Sequence, residues 1–161
     1  MFVFIQIFSM LTYRLAQAAI LGTLAIVTFE VIARYLFGSP TQSSLEITEY
    51  FIVAMGFLPI AAIYRTKGHV SVDMLTNLMP QKWRNGCELA SIVVTGAFGF
   101  LVFWFGAEMT VHAYVSGTDS SSLLAFPMWL AYSVIPLGFL ALGCESLNQI
   151  CAHLNLDEGE R

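Results

Sequence analysis

Charge is what this sequence holds least of: Asp, Glu, Lys and Arg make up 11% of 161 residues, against about 25% in an ordinary soluble domain. Seven basic and eleven acidic side chains, with a net charge of −4, could not cover a soluble surface of this size. No basic cluster exists, which excludes a nucleic-acid binder. Cysteine is also scarce. Cys87, Cys144 and Cys151 form no C-x-x-C pair, so a membrane thiol oxidoreductase lacks its redox couple, and apolar core cysteine is the plainer reading. What remains is apolar: 57% of the chain is hydrophobic, with 13 Phe, six Tyr and three Trp. This is the composition of an integral membrane protein.

Length limits the number of spans. At about 20 residues per spanning helix plus turns, the chain holds about four. Uncharged or nearly uncharged runs predict an all-α membrane bundle of four transmembrane helices in one domain, over about 15–37, 45–66, 82–110 and 127–148. Arg65, Lys67 and Gly68 mark the end of the second span. Pro80 opens the third; helix is disfavoured at Phe126, so Pro127 starts the fourth, and Pro136 falls inside it and should kink it.

Three further expectations follow from patterning. The apolar segment Met1 to Leu11 has no basic residue ahead of it, as a signal peptide would need. It is read as interfacial or as an extension of the first helix. Val72, Leu75, Leu78 and Met79 recur at helical spacing among polar residues, predicting a short amphipathic interfacial helix over about 71–79. Arg14, Arg65, Lys67, Lys82, Arg84 and Arg161 lie on one side of the four-span arrangement and Arg34 alone on the other. Both termini are therefore expected in the cytoplasm.

Groups able to do chemistry are few. Ion-coupled carriers commonly place acidic, His or polar groups near the midplane. The second, third and fourth spans are read as lacking such groups, with Glu145 at the inner end of the fourth. Glu30 is the one deep acid. It lies four residues before Arg34 on one helix face, the favourable order for a pair. An ion pair that tempers two charges near the interface is the plain reading; contact with another membrane subunit and a transport site are its rivals. His69, His112 and His153 are scattered over both sides, which suits neither haem nor zinc. No cofactor is expected. Gly96, Ala97, Gly99 and Gly106 in the third span offer a small-residue packing surface.

Arg34-Tyr35-Leu36-Phe37 with Pro40, the acidic opening Glu46 to Tyr50, and Gly68-His69-Val70-Ser71-Val72-Asp73 follow one another in a distinctive order. So do Pro127-Met128-Trp129 and Ile135-Pro136-Leu137-Gly138. In this order they resemble the small membrane subunit of tripartite ATP-independent periplasmic (TRAP) transporters, over roughly Glu30 to Cys144. One departure is Ser44-Leu45, where members of that family often carry a Trp.

The resemblance implies a non-catalytic scaffold subunit in the bacterial inner membrane, not an enzyme. Its partners would be a large elevator-type permease subunit coupled to sodium, a periplasmic solute-binding protein and membrane lipid. The solutes would be organic anions such as dicarboxylates or sugar acids. Glu30, Arg34, Tyr35, Glu46 and Glu49 on the periplasmic side, with His69 and Asp73 on the cytoplasmic side, become the candidates for contact with the large subunit. Capping is the competing reading for Glu46, Glu49 and Asp73. A small membrane redox or haem subunit, and a self-sufficient small antiporter, are the rival functions.

Overall fold

A computed structural model describes residues 2–38, 43–66, 81–121 and 125–159. They form five helices in order: α1 (Phe2–Phe37), α2 (Ser43–Phe57), α3 (Ile60–Arg65), α4 (Gln81–Val115) and α5 (Met128–Gly159). Among the described residues, four helical stretches are long and apolar enough to cross a membrane, with α2 and α3 together making the second, Ser44–Arg65. The protein is an all-α, four-span bundle. The interfacial helix expected over 71–79, with His69 and Asp73, lies outside the described residues.

The apolar N-terminal segment joins the first helix. Its 36 residues make a rod of about 54 Å at 1.5 Å per residue, well beyond the roughly 30 Å of a hydrocarbon core. The second span is not one helix but two. Pro59 has no N–H to offer the carbonyl four residues back, and its ring crowds that carbonyl. The helix therefore stops at Phe57 and restarts at Ile60. Hydropathy alone runs the span straight through this point. α5, by contrast, continues through Pro136.

Close packing between α4 and α5 depends on the glycines. A Cβ on Gly96 would lie 3.1 Å from the Cβ of Ser146, one on Gly99 3.2 Å from the amide nitrogen of Gly143, and one on Gly106 3.2 Å from Cδ of Pro136. These contacts fix an antiparallel register along the whole helix pair, as expected where apolar helices associate through backbone approach rather than a hydrophobic drive. Ala97 is exposed and takes no part in the seam. At the far end Tyr114 meets Trp129 edge-on, with ring centroids 5.6 Å apart. Gly22 of α1 likewise lies under the Phe51 ring of α2.

Tyr64, Phe139 and Leu142 form the buried apolar cluster, flanked by Phe57, Ile60, Val102, Phe103 and Ile135. It gathers around the α2–α3 break, where Gly138 brings α5 against the Phe57 carbonyl. The exterior is apolar too. Leu24, Phe29, Trp104 and Phe105 are each more than half exposed, which is tolerable only where lipid is the solvent.

The α4–α5 connection is built, not slack. Gly117, with φ 58°, ends α4 in a Schellman arrangement: its N–H reaches the Tyr114 carbonyl, and that of Thr118 reaches Ala113. Ser120 N–H then donates to the Phe126 carbonyl and Met128 N–H to that of Thr118. Phe126 lies outside the helix, as a residue before proline should, and an antiparallel bridge joins Asp119 to Pro127. Phe126 stacks on Tyr50 of α2 at 4.4 Å, pinning the loop to the second span.

Candidate partner-contact site and a buried polar cluster

The only ion pair among the described residues is the one the sequence spacing suggests. Arg34 Nη2 donates to Glu30 Oε1 at 3.1 Å across one turn of α1. The structure adds a third member. Ser44, at the start of α2, donates its hydroxyl to Glu30 Oε2 at 2.5 Å. Glu30 and Ser44 are both 7% exposed, whereas the Arg34 side chain is 54% exposed. One buried carboxylate thus joins the end of α1 to the beginning of α2, with the guanidinium on the outer side.

Ser44 carries a second backbone role, since its carbonyl accepts from Thr48 Oγ1 at 2.8 Å. Sequence reasoning noted Ser44 only as the departure from the family pattern. A hydroxyl fourteen residues from a carboxylate gives no local signal of contact.

Around this clamp lies a groove of about 230 Å³, with Val27, Val31, Leu45 and Tyr35 beside the polar groups. Tyr35, Leu36 and Phe37 complete α1 and are strongly exposed. Glu46 occupies the first turn of α2, where the helix end favours an acid, and Glu49 is exposed one turn on. Tyr50 and its partner Phe126 tie these acids to the loop at the same end of the bundle. The structure therefore brings Glu30, Arg34 and Tyr35 into one groove and sets Glu46 and Glu49 beside it.

A second polar site was not anticipated. Glu145 is 2% exposed and Ser146 fully buried, so the fourth span does carry polar groups inside the bundle. Asn148 Nδ2 donates to Glu145 Oε1 at a long 3.5 Å. Glu145 Oε2, Ser146 Oγ and Asn148 Oδ1 have no hydrogen-bond partner among the described residues. By sequence alone Glu145 marks the end of the span, because charge resumes there. The glycine seam instead places Ser146 against Gly96, and the spanning stretch continues to Ala152.

An unsatisfied buried polar atom costs about 1–3 kcal/mol. Glu145→Gln turns one carboxyl oxygen into a donor facing Asn148 and should raise the thermal stability of the subunit by a few degrees. Glu145→Ala should lower it by opening a void. Equal or lower stability of the Gln variant in a melting assay would show that another donor already satisfies Oε2.

These features define a multi-pass helical membrane protein whose clearest polar clamp joins two of its own helices. Residues 23–155 match the family model described as tripartite ATP-independent periplasmic transporters, DctQ component. The chain belongs to this family, that of the small TRAP permease subunit. It is 40% identical over 90 residues to the sialic acid TRAP transporter permease protein SiaT of Haemophilus influenzae, covering 53% of this chain and 15% of that protein. It is 27% identical over 120 residues to the ectoine TRAP transporter small permease protein TeaB of Halomonas elongata, covering 73% and 60%. The C4-dicarboxylate TRAP transporter small permease protein DctQ of Rhodobacter capsulatus is 32% identical over 74 residues, covering 46% and 32%. The chain thus spans less than two thirds of the length of each of these relatives.

Proposed function

We propose that the chain is the non-catalytic scaffold of a sodium-coupled secondary transporter in the bacterial inner membrane. In this reading it braces a large elevator-type permease subunit that receives solute from a periplasmic binding protein. The solutes are organic anions such as dicarboxylates or sugar acids; relatives are named for sialic acid, ectoine and C4-dicarboxylates.

The observation that carries the reading is the Glu30–Arg34–Ser44 clamp. Its carboxylate is engaged within the subunit, so it serves as a brace rather than a solute ligand, and it presents Arg34 and Tyr35 outward. A scaffold against a moving partner needs such fixed helix spacing. The positive-inside rule puts this groove, Glu46, Glu49 and the Asp119 loop in the periplasm, with both termini in the cytoplasm.

Mass spectrometry of the tagged chain purified from its own membranes tests this. A larger polytopic subunit should accompany it in fixed ratio, with no Soret band in the visible spectrum. A haem spectrum, or a chain that purifies alone and still transports, would overturn the scaffold reading. Glu145 is the residue a self-sufficient antiporter would use, so its variants belong in the same assay.

A further inference from the structure

At the opposite end of the bundle from Arg34, α1 and α3 part to leave a second groove of about 400 Å³. Its walls are Met10 and Tyr13 of α1 and Ala62, Ile63 and Arg65 of α3, over a floor at Ser9. Ser9 is 2% exposed, while Met10, Tyr13 and Ile63 open to the outside. The groove is apolar along its length and basic at its mouth.

Charge distinguishes it from the groove at Arg34. There Glu30 neutralises the guanidinium. Here no lining residue is acidic, and no described carboxylate pairs with Arg65. Arg65 ends the spanning stretch Ser44–Arg65, which sets its guanidinium at headgroup depth, while Met10 and Ile63 flank the same opening. A base with no acid partner among the described residues suits an anionic headgroup better than a zwitterionic one, because no carboxylate lines the groove to pair with an ammonium. Basic pockets between spanning helices on the cytoplasmic side are recognised lipid seats in general.

We infer that this groove seats one anionic phospholipid, its phosphate on Arg65 with the Tyr13 hydroxyl beside it, and an acyl chain along Met10 and Ile63. The lipid fills the gap between α1 and α3 and supports the shorter half of the broken second span. Only the choice of the cytoplasmic leaflet rests on the proposed topology; the seat itself is independent of any transport role.

The test is native mass spectrometry of the full chain, extracted with its membrane partners and titrated with phosphatidylglycerol or phosphatidylcholine of identical chains. The intact protein should retain phosphatidylglycerol about five-fold more tightly, the effect of one basic group near the surface. Arg65→Gln should abolish the preference and Arg65→Lys should keep it. Arg14→Gln should also keep it, since Arg14 is exposed and hydrogen-bonded to Gln17 outside the groove. Met10→Trp, which fills the groove and leaves every charge in place, should displace both lipids. Inorganic phosphate should not compete, because it lacks the chain. Equal retention of both lipids by the intact protein would overturn the proposal. So would an unchanged preference in Arg65→Gln, an equal loss in Arg14→Gln, or full retention in Met10→Trp. None of these results bears on whether the large subunit binds.

Discussion

Gly138→Ala should lower the melting temperature of the purified subunit by roughly 2–12 °C and reduce the yield of monodisperse protein. Gly138 lies where α5 crosses the break in the second span. A Cβ there would lie 2.9 Å from the Phe57 carbonyl carbon and closer still to its oxygen. The obstacle is backbone, so no rotamer change relieves it. Either α2 withdraws from α5 or the break is rebuilt, and both disturb the Tyr64–Phe139–Leu142 cluster.

Overpacking of this kind typically costs about 1–3 kcal/mol, a large share of the 5–15 kcal/mol that holds a typical domain folded. Gly56→Ala is the control. Nothing lies within 4 Å of a Cβ at that position, and Ala is the better helix former, so its stability should be unchanged or slightly higher. A Gly138→Ala protein that melts with the parent would show that the crossing is looser than the structure describes.

The contrast between those two glycines indicates what sequence can and cannot reveal. The four spans were legible because membrane thickness writes itself into runs free of charge. Gly96, Gly99 and Gly106 were legible as a packing surface because small residues at helical spacing have few other uses in a span. Which of them meets which residue of α5 was not, since register is a tertiary fact. Glu145 shows the consequence. From the sequence it marks the end of a span, and only the seam that sets Ser146 against Gly96 places it inside.

Pro59 is a different kind of miss. Its signal was present, a proline inside an apolar run, but hydropathy treats a broken helix and a straight one alike. At the candidate site the local pair Glu30–Arg34 was readable from its spacing, whereas Ser44 was not, because it reaches Glu30 across a turn of chain. The stack of Phe126 on Tyr50 is hidden for the same reason.

The clamp yields the second large effect, because its members separate stability from assembly. Ser44→Ala removes a hydrogen bond to a buried carboxylate and should cost about 1.5–3 kcal/mol. Its signature is a lower melting temperature with assembly in proportion to folded protein. Arg34→Ala should do the reverse. The Arg34 side chain is more than half exposed while its partner carboxylate is buried, so its loss costs the subunit some stability, more than a surface pair would, but Glu30 keeps its bond to Ser44. The subunit should therefore stay folded. A contact residue at a desolvated interface is worth 2 kcal/mol or more, so recovery of the large subunit with Arg34→Ala should fall about thirty-fold. Tyr35→Ala, altering a side chain 82% exposed in the isolated subunit, should behave in the same way. If both variants recover the large subunit at the parental level, the α1–α2 rim is not the contact, and the polar groups there serve only to join helices.

Uptake and binding of labelled solute in liposomes bear most directly on the division of labour proposed for this chain. Vesicles containing the chain alone should show no sodium-driven uptake and no saturable binding. Vesicles that also hold the large subunit, supplied with the periplasmic binding protein, should accumulate solute and should lose that activity when this chain is left out. Saturable binding or uptake by the chain alone, abolished by Glu145→Ala, would contradict the scaffold account and make the buried cluster of α5 a transport site.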